Sequence, residues 1–373
     1  MHYTKEPDYI RDNFGPIEIS EDLRMKLPQG MTAGIEIEST GQLRDMHFSL
    51  LDPDEQINIL LAWKSKNEVT VKEGIEIVSP QLRGTEQESK DLYAICNMLT
   101  QLGQTVSEEC GAHVHIGANY LTSKKSYVNL ITLWANAERI LYKISNPPGE
   151  LPRFEAVNNY AKPISGKIEE AIKNGTINLE SEEDLQEFTT KLKTVQGNRN
   201  FGLNFLNVTN LEKTTIEFRL SNGTLNPKTW IDNINLYAGI VRVSEELAQI
   251  QKKPEQNRTE AEKEKITLFE RIGREKLDER QMLDILLTLS ISPERRGVYR
   301  ERYEANSELL ENDSKIRNAL EKRLASEPIT TKQIRDTAYS GDEAATAGEM
   351  LSAESRMKED INILLEGDRP DPV

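Results

Sequence analysis

CGAHVHIG, Cys110 to Gly117, sets two of the chain's four histidines two residues apart within an apolar alternation. Side chains at i and i+2 of an extended strand share a face. His113 and His115 therefore point one way, and Val114 and Ile116 the other. Three more segments are built alike. AGIEIES (33–39) alternates Glu36 and Glu38 with Ile35 and Ile37. EGIEIVSP (73–80) sets Glu76 against Ile75 and Ile77, and TTIEFRL (214–220) sets Glu217 and Arg219 against Ile216, Phe218 and Leu220. One such Glu alone reads as a solvated strand face. Repeated along one stretch of chain, the pattern predicts a sheet with helices on its apolar face and carboxylates gathered on the other.

Helical periods supply that cover. Glu86 to Leu102 carries Leu92, Ile95, Cys96 and Leu99 at helical spacing, with Gly103 placed for a C-terminal cap. Ser123 to Ser145 is amphipathic, with Ser123 as N-cap and Pro147-Pro148 beyond its end. Pro227 opens a further helix to about Ile250. Trp134 and Trp230 fall on apolar helical faces and read as core. The run from Glu68 to Pro80 reads as two β runs turned at Gly74, and Asn200 to Val208 as a strand turned back on Thr214 to Leu220. Residues 1–30 form an irregular lead-in and 31–250 the main domain. Residues 251–335 read as a charge-dense helical extension, and 336–373 as a weakly ordered acidic tail.

Composition narrows the function. A net charge of −15 over 373 residues argues against an electrostatic nucleic-acid binder. No window approaches the roughly 18 apolar residues of a membrane span. Only Cys96 and Cys110 are present, and the first residues carry no apolar run, so a reducing cytoplasm is the expected compartment. The amphipathic C-terminal helices offer a surface for self-association or a protein partner. Cys110 reads as packing, and His2 and His47 as solvated.

Like charges crowded on one face raise each other's pKa and repel. Divalent cations offset that cost, and clustered carboxylates suit Mg²⁺ or Mn²⁺, the latter accepting a His more readily. Arg219 beside Glu217 adds a fixed positive charge for a phosphate or a developing oxyanion. Nucleotide chemistry is indicated, without a GxxxxGK[ST] loop.

GIEIE (34–38), EGIEIVSP (73–80), CGAHVHIG (110–117) and TIEFR followed by NGTLNP (215–227) together resemble the amidoligase family, placed in the glutamine synthetase and glutamate-cysteine ligase superfamily of carboxylate-amine ligases. The resemblance covers roughly residues 31–250. It implies an α+β fold whose curved antiparallel sheet forms a catalytic funnel, with ATP and two or three Mg²⁺ or Mn²⁺ ions inside. Glu36, Glu38, Glu68, Glu76, His113 and Glu217 resemble the metal ligands, although KSKN at 64–67 departs from the family pattern before Glu68. His115 resembles the nucleotide-side histidine, and Arg219 the arginine on the transferred phosphate. Arg153 and Lys162 flank a loop suited to a substrate carboxylate or phosphate, Asn204 is expected to bind substrate with them, and Asn222 lies near the funnel. The implied reaction is amide formation through an acyl phosphate, from a carboxylate and an amine such as amino acids or peptides. Phosphoryl transfer onto a nitrogen acceptor, and a catalytically reduced scaffold acting through its C-terminal helices, stand as alternatives.

Overall fold

Alternating Ile and Glu make the first strand of the computed structural model, β1 (Ala33–Thr40), buried on its Ile side. The structure describes residues 19–21, 24–41, 63–68, 71–72, 74–181, 183–211 and 213–324. Most of the lead-in, with His2, and also His47 and the acidic tail lie outside the described residues. β2 (Lys64–Glu68), β3 (Gly74–Val78), β4 (Gly111–Gly117), β5 (Leu203–Asn204) and β6 (Thr215–Asn222) complete one open sheet in the order β2-β3-β1-β4-β6-β5. Every neighbouring pair is antiparallel. The expected α+β class with an antiparallel sheet is found.

Two strands differ from expectation. The first of the two β runs expected between Glu68 and Pro80 starts earlier: β2 covers Lys64–Glu68, with Glu68 opposite Gly74. Val71 is instead a buried anchor of a tight turn closed by Gly74 N–H to Val71 O at 3.0 Å. A Cβ on Gly74 would lie 2.5 Å from Val71, so the turn needs glycine. Asn200 to Val208 yields only the two residues of β5. There the Asn204 side chain accepts from Leu206 N–H at 3.0 Å and Gln196 from Phe205 N–H at 2.7 Å. Such local side-chain bonds draw backbone away from a ladder.

Helices α1 (Glu86–Gln101), α2 (Lys124–Ile144), α3 (Ser165–Lys173), α4 (Leu185–Gln196) and α5 (Pro227–Lys252) follow the apolar periods. Thr85 and Glu88 cap α1 reciprocally, Gly103 takes φ +74° at its far end, and Ser123 caps α2. α2 and α5 pack together beneath the sheet, α5 against β4 and α2 against β6. Nearly every residue of α5 from Thr229 to Ala248 is buried, as expected of a helix with elements on all sides. Phe218 of β6 stacks on Tyr237 of α5 at 4.5 Å, with Trp134 of α2 at 5.5 Å from Phe218.

The charge-dense stretch after Gln251 forms α6 (Glu260–Arg274), α7 (Glu279–Ser290), α8 (Arg296–Asn312) and α9 (Ser314–Leu324). α6 and α7 pack on α5, α7 and α8 on α2, and their apolar residues join the same core as the sheet. No helix of the described residues is long and apolar enough to cross a membrane.

Glu279, at the start of α7, ties this layer to α2. It meets Lys143 at 2.5 Å, Arg139 at 2.8 Å and the Tyr303 hydroxyl of α8 at 2.9 Å. Burial pushes the Glu279 carboxyl up, but Lys143 and Arg139 outweigh it and hold the pKa below its ordinary 4.5. A carboxyl held low stabilises the fold above its unfolded pKa, and the contribution is lost as pH falls through the folded value. Urea denaturation should therefore find Glu279→Gln less stable than wild type at neutral pH, with the gap closing well below pH 4.5. A gap that stays constant in acid would show that the carboxylate charge is not what matters.

Candidate functional site

Cross-strand partners of a sheet share a face, and the observed registers bring the predicted residues into one row. Glu36 stands opposite His113, Glu38 opposite Glu76, His115 opposite Glu217, and Glu217 opposite Asn204. The β4–β6 register shifts between Ala112 and Val114, so that Arg219 and Leu220 stand against His113 alone. A bulge of this kind bends its strand and re-aims side chains. Arg219 here ion-pairs with Glu217 through Nη1.

His113 is the hub. Its Nδ1 lies 3.1 Å from Glu36 and 3.8 Å from Glu217, and its Nε2 3.5 Å from Glu38. Glu36 also meets His115 Nε2 at 3.4 Å, while His115 Nδ1 is 3.2 Å from the Thr215 hydroxyl. Glu38 accepts from the Gly111 N–H at 2.5 Å. A Cβ on Gly111 would sit 2.9 Å from His113 Nε2, so glycine is required for the close approach.

Burial pushes Glu36 up, yet its bonds to His113 and His115 hold the carboxyl far below the usual range. Glu217 is likewise lowered: burial acts against ionisation and Arg219 with both histidines overcomes it. For His115 burial disfavours the cation, but Glu36 and Glu217 raise its pKa above 6.5. Both carboxylates are thus ionised.

One oxygen each of Glu36 and Glu217 and one nitrogen of His113 lie within 4.8 Å of one another, close enough to share an ion. Two carboxylates and an imidazole are donors that Mn²⁺ or Mg²⁺ accepts. Glu217 is oriented from behind: Asn204 Nδ2 donates to its Oε2 at 2.6 Å, and Gln196 Nε2 donates to Asn204 Oδ1 at 2.5 Å.

The row opens into a cleft of about 810 Å³. Glu36, Glu38, Glu76, His113, Arg153 and Arg219 line it. Arg153 is positioned by its backbone N–H to Asn222 at 3.1 Å and its Nη1 to the Glu108 carbonyl at 3.0 Å. The segment after it winds as a π-helix, Ala156–Tyr160, whose Tyr160 carbonyl accepts from Arg219 Nε at 3.3 Å. Lys162 is not a lining residue; its ammonium lies 5.3 Å from the centre of the Phe201 ring. The Glu68 side chain lies outside the described part. Cys110 is buried, and Trp134 and Trp230 are core.

Sequence reasoning missed Gly111, Gln196 and much of the cleft wall: Glu108, Glu109, Glu155, Asn198, Arg199 and Asn200. The one local signal for the last three is GNRN at 197–200, a polar run between a helix and a strand.

A family model described as "Putative amidoligase enzyme" matches residues 47–241, just over half of the chain. Glu76, His113, His115, Glu217 and Arg219 fall within the match, and Glu36 and Glu38 precede it. No curated protein matches the chain.

Partners behind a ligating carboxylate typically change metal affinity by about 10–100-fold. Asn204→Ala should weaken Mn²⁺ binding by that factor, followed by the resonance of free Mn²⁺ in a titration, with an unchanged circular dichroism spectrum. Unchanged affinity would remove Asn204 from the site.

Proposed function

The chain belongs to the family described as "Putative amidoligase enzyme", and from that premise we propose that it joins a carboxylate to an amine using ATP, through an acyl phosphate. The observation that carries the reading is the Glu36–His113–Glu217 triad, half-buried at Glu36 and buried at His113 and Glu217, with Arg219 beside it and with Glu36, His113 and Arg219 lining a cleft. In this reading the sheet serves as the funnel of a glutamine-synthetase-like ligase. Glu36, His113 and Glu217 would hold Mg²⁺ or Mn²⁺, with Glu38 and Glu76 beside them for further ions. Cations so held spread the negative charge of the ATP phosphates.

The chain's own residues supply orientation and charge. Arg153 receives the substrate carboxylate, and His115 faces the nucleotide. A carboxylate oxygen bonds to the γ-phosphorus as the bond to the bridging oxygen breaks, and ADP leaves. Arg219, braced by the Tyr160 carbonyl, donates to the transferring phosphoryl oxygens. The amine nitrogen then bonds to the acyl carbon, the carbon–oxygen bond breaks, and phosphate departs. Glu108, Glu109 and Glu155 on the cleft wall suit an amine that arrives as ammonium, and one of them takes its proton. The cleft walls limit water, which would otherwise hydrolyse the acyl phosphate.

Phosphate release from ATP with Mn²⁺, screened against pools of amino acids and small peptides, is expected to need both a carboxylate and an amine. Glu217→Ala and Arg219→Ala should each lower it by at least about 100-fold, the scale of losing one preorganised charge-stabilising group. A phosphorylated nitrogen compound as sole product would replace the ligase with a phosphotransferase. Absence of metal-dependent ATP binding would sink both.

A further inference from the structure

A second cleft, of about 350 Å³, lies between α5, the end of α7 and the Pro293–Arg295 turn. Lys26, Arg242, Lys265 and Arg295 line it, and none of its lining residues is acidic. In a chain of net charge −15 that concentration calls for an account.

Part of it is structural. Arg242 Nη2 donates to the carbonyls of Leu289 and Ser290 at the C-terminus of α7, at 3.3 and 3.2 Å. Arg242 and Lys265 also share Glu246, at 2.6 and 2.7 Å, and Lys26 stands 3.6 Å from Glu294. Arg295 is different. It is 4% exposed and pairs through Nη2 with Asp232, a wholly buried carboxylate that Arg302 at 2.6 Å and Lys228 at 3.0 Å also use. Two buried guanidiniums and one ammonium thus share a single negative charge. Among the described residues, Nε and Nη1 of Arg295 have no hydrogen-bond partner. The Tyr299 hydroxyl gives its proton to the Asp232 carbonyl at 2.6 Å, and its oxygen faces the Arg295 guanidinium as a weak acceptor. Ser290 Oγ, also 4% exposed and lining the same cleft, is likewise without a partner.

Buried N–H and O–H groups left unmade are costly, the more so on a cation with excess positive charge around it. A small anion resolves both at once. We infer that this cleft binds a phosphate-type dianion, free phosphate or a phosphate monoester, with Arg295 and Ser290 as inner donors and Lys26, Arg242 and Lys265 around it. A tetrahedral dianion fits better than a single carboxylate. Its three terminal oxygens can accept from donors arriving on several sides, and its charge matches the local excess. The site is independent of the Glu36–His113–Glu217 cleft, with which it shares no lining residue.

The test is calorimetric titration of the full-length protein with inorganic phosphate, glycerol phosphate and malonate. It is run on wild type, Ser290→Ala, Arg295→Lys and Arg219→Ala. Arg295→Lys keeps a cation for Asp232 while removing the unpartnered guanidinium N–H groups. One phosphate site should survive intact in Arg219→Ala and weaken by at least about tenfold in Ser290→Ala and Arg295→Lys. Tighter binding of glycerol phosphate than of free phosphate would assign a monoester, and the reverse order free phosphate. Three results would each overturn the inference: no binding at tens of millimolar, binding lost only in Arg219→Ala, or malonate bound as tightly as phosphate.

Discussion

Four carboxylates, Glu36, Glu38, Glu76 and Glu217, share one face of a sheet whose other face is core, and this crowding is the constraint around which the rest of the molecule is arranged. Burial and like charge both oppose ionisation. What keeps Glu36 and Glu217 ionised is the imidazole pair between them and the guanidinium of Arg219. The cluster is therefore self-compensating rather than merely acidic. Each positive group is aimed at a carboxylate already, so an entering cation would redistribute contacts instead of filling an inert hollow.

Holding such groups in place needs a rigid backing. The apolar sides of β4 and β6 rest on α5 and α2, where Phe218, Tyr237 and Trp134 interlock. Ser221, at the end of β6, accepts from Asn233 of α5 at 2.8 Å, and Asn233 in turn accepts from Arg302 of α8 at 3.0 Å. The strand that carries Glu217 and Arg219 is thus pinned through α5 to a helix far along the chain.

Strand identity and facing were readable because the period of two is a local property that each segment carries alone. That Glu36, His113 and Glu217 share a face was legible too, whereas the strand order that sets β1, β4 and β6 side by side and so brings them together was not. The wall of the cleft did not follow. Arg199 and Glu155 reach it through the pairing of Lys162 with Asn200 and Phe201, long-range contacts with no local period. Gly111 looked like an ordinary strand residue because its value lies in its close approach to His113, visible only in three dimensions. β5 was overestimated because Asn204 and Gln196 spend their polar groups on nearby backbone, which an apolar count does not register. The apolar Val71 was misleading for the opposite reason: its burial serves a turn.

The pairing order of the sheet has a bearing on biosynthesis. Glu36 and His113 are 77 residues apart in the chain, and His115 lies 100 residues before its β6 neighbour Thr215. A ribosome therefore releases β1, β3 and β4 long before β6, and loops of this length slow folding because their closure entropy comes first. Until β6 arrives, the nascent sheet carries histidines and glutamates but neither Glu217 nor Arg219, and β4 presents an open edge that invites wrong partners. An incomplete chain is thereby aggregation-exposed, and it also lacks the charges that any phosphoryl chemistry on this face requires.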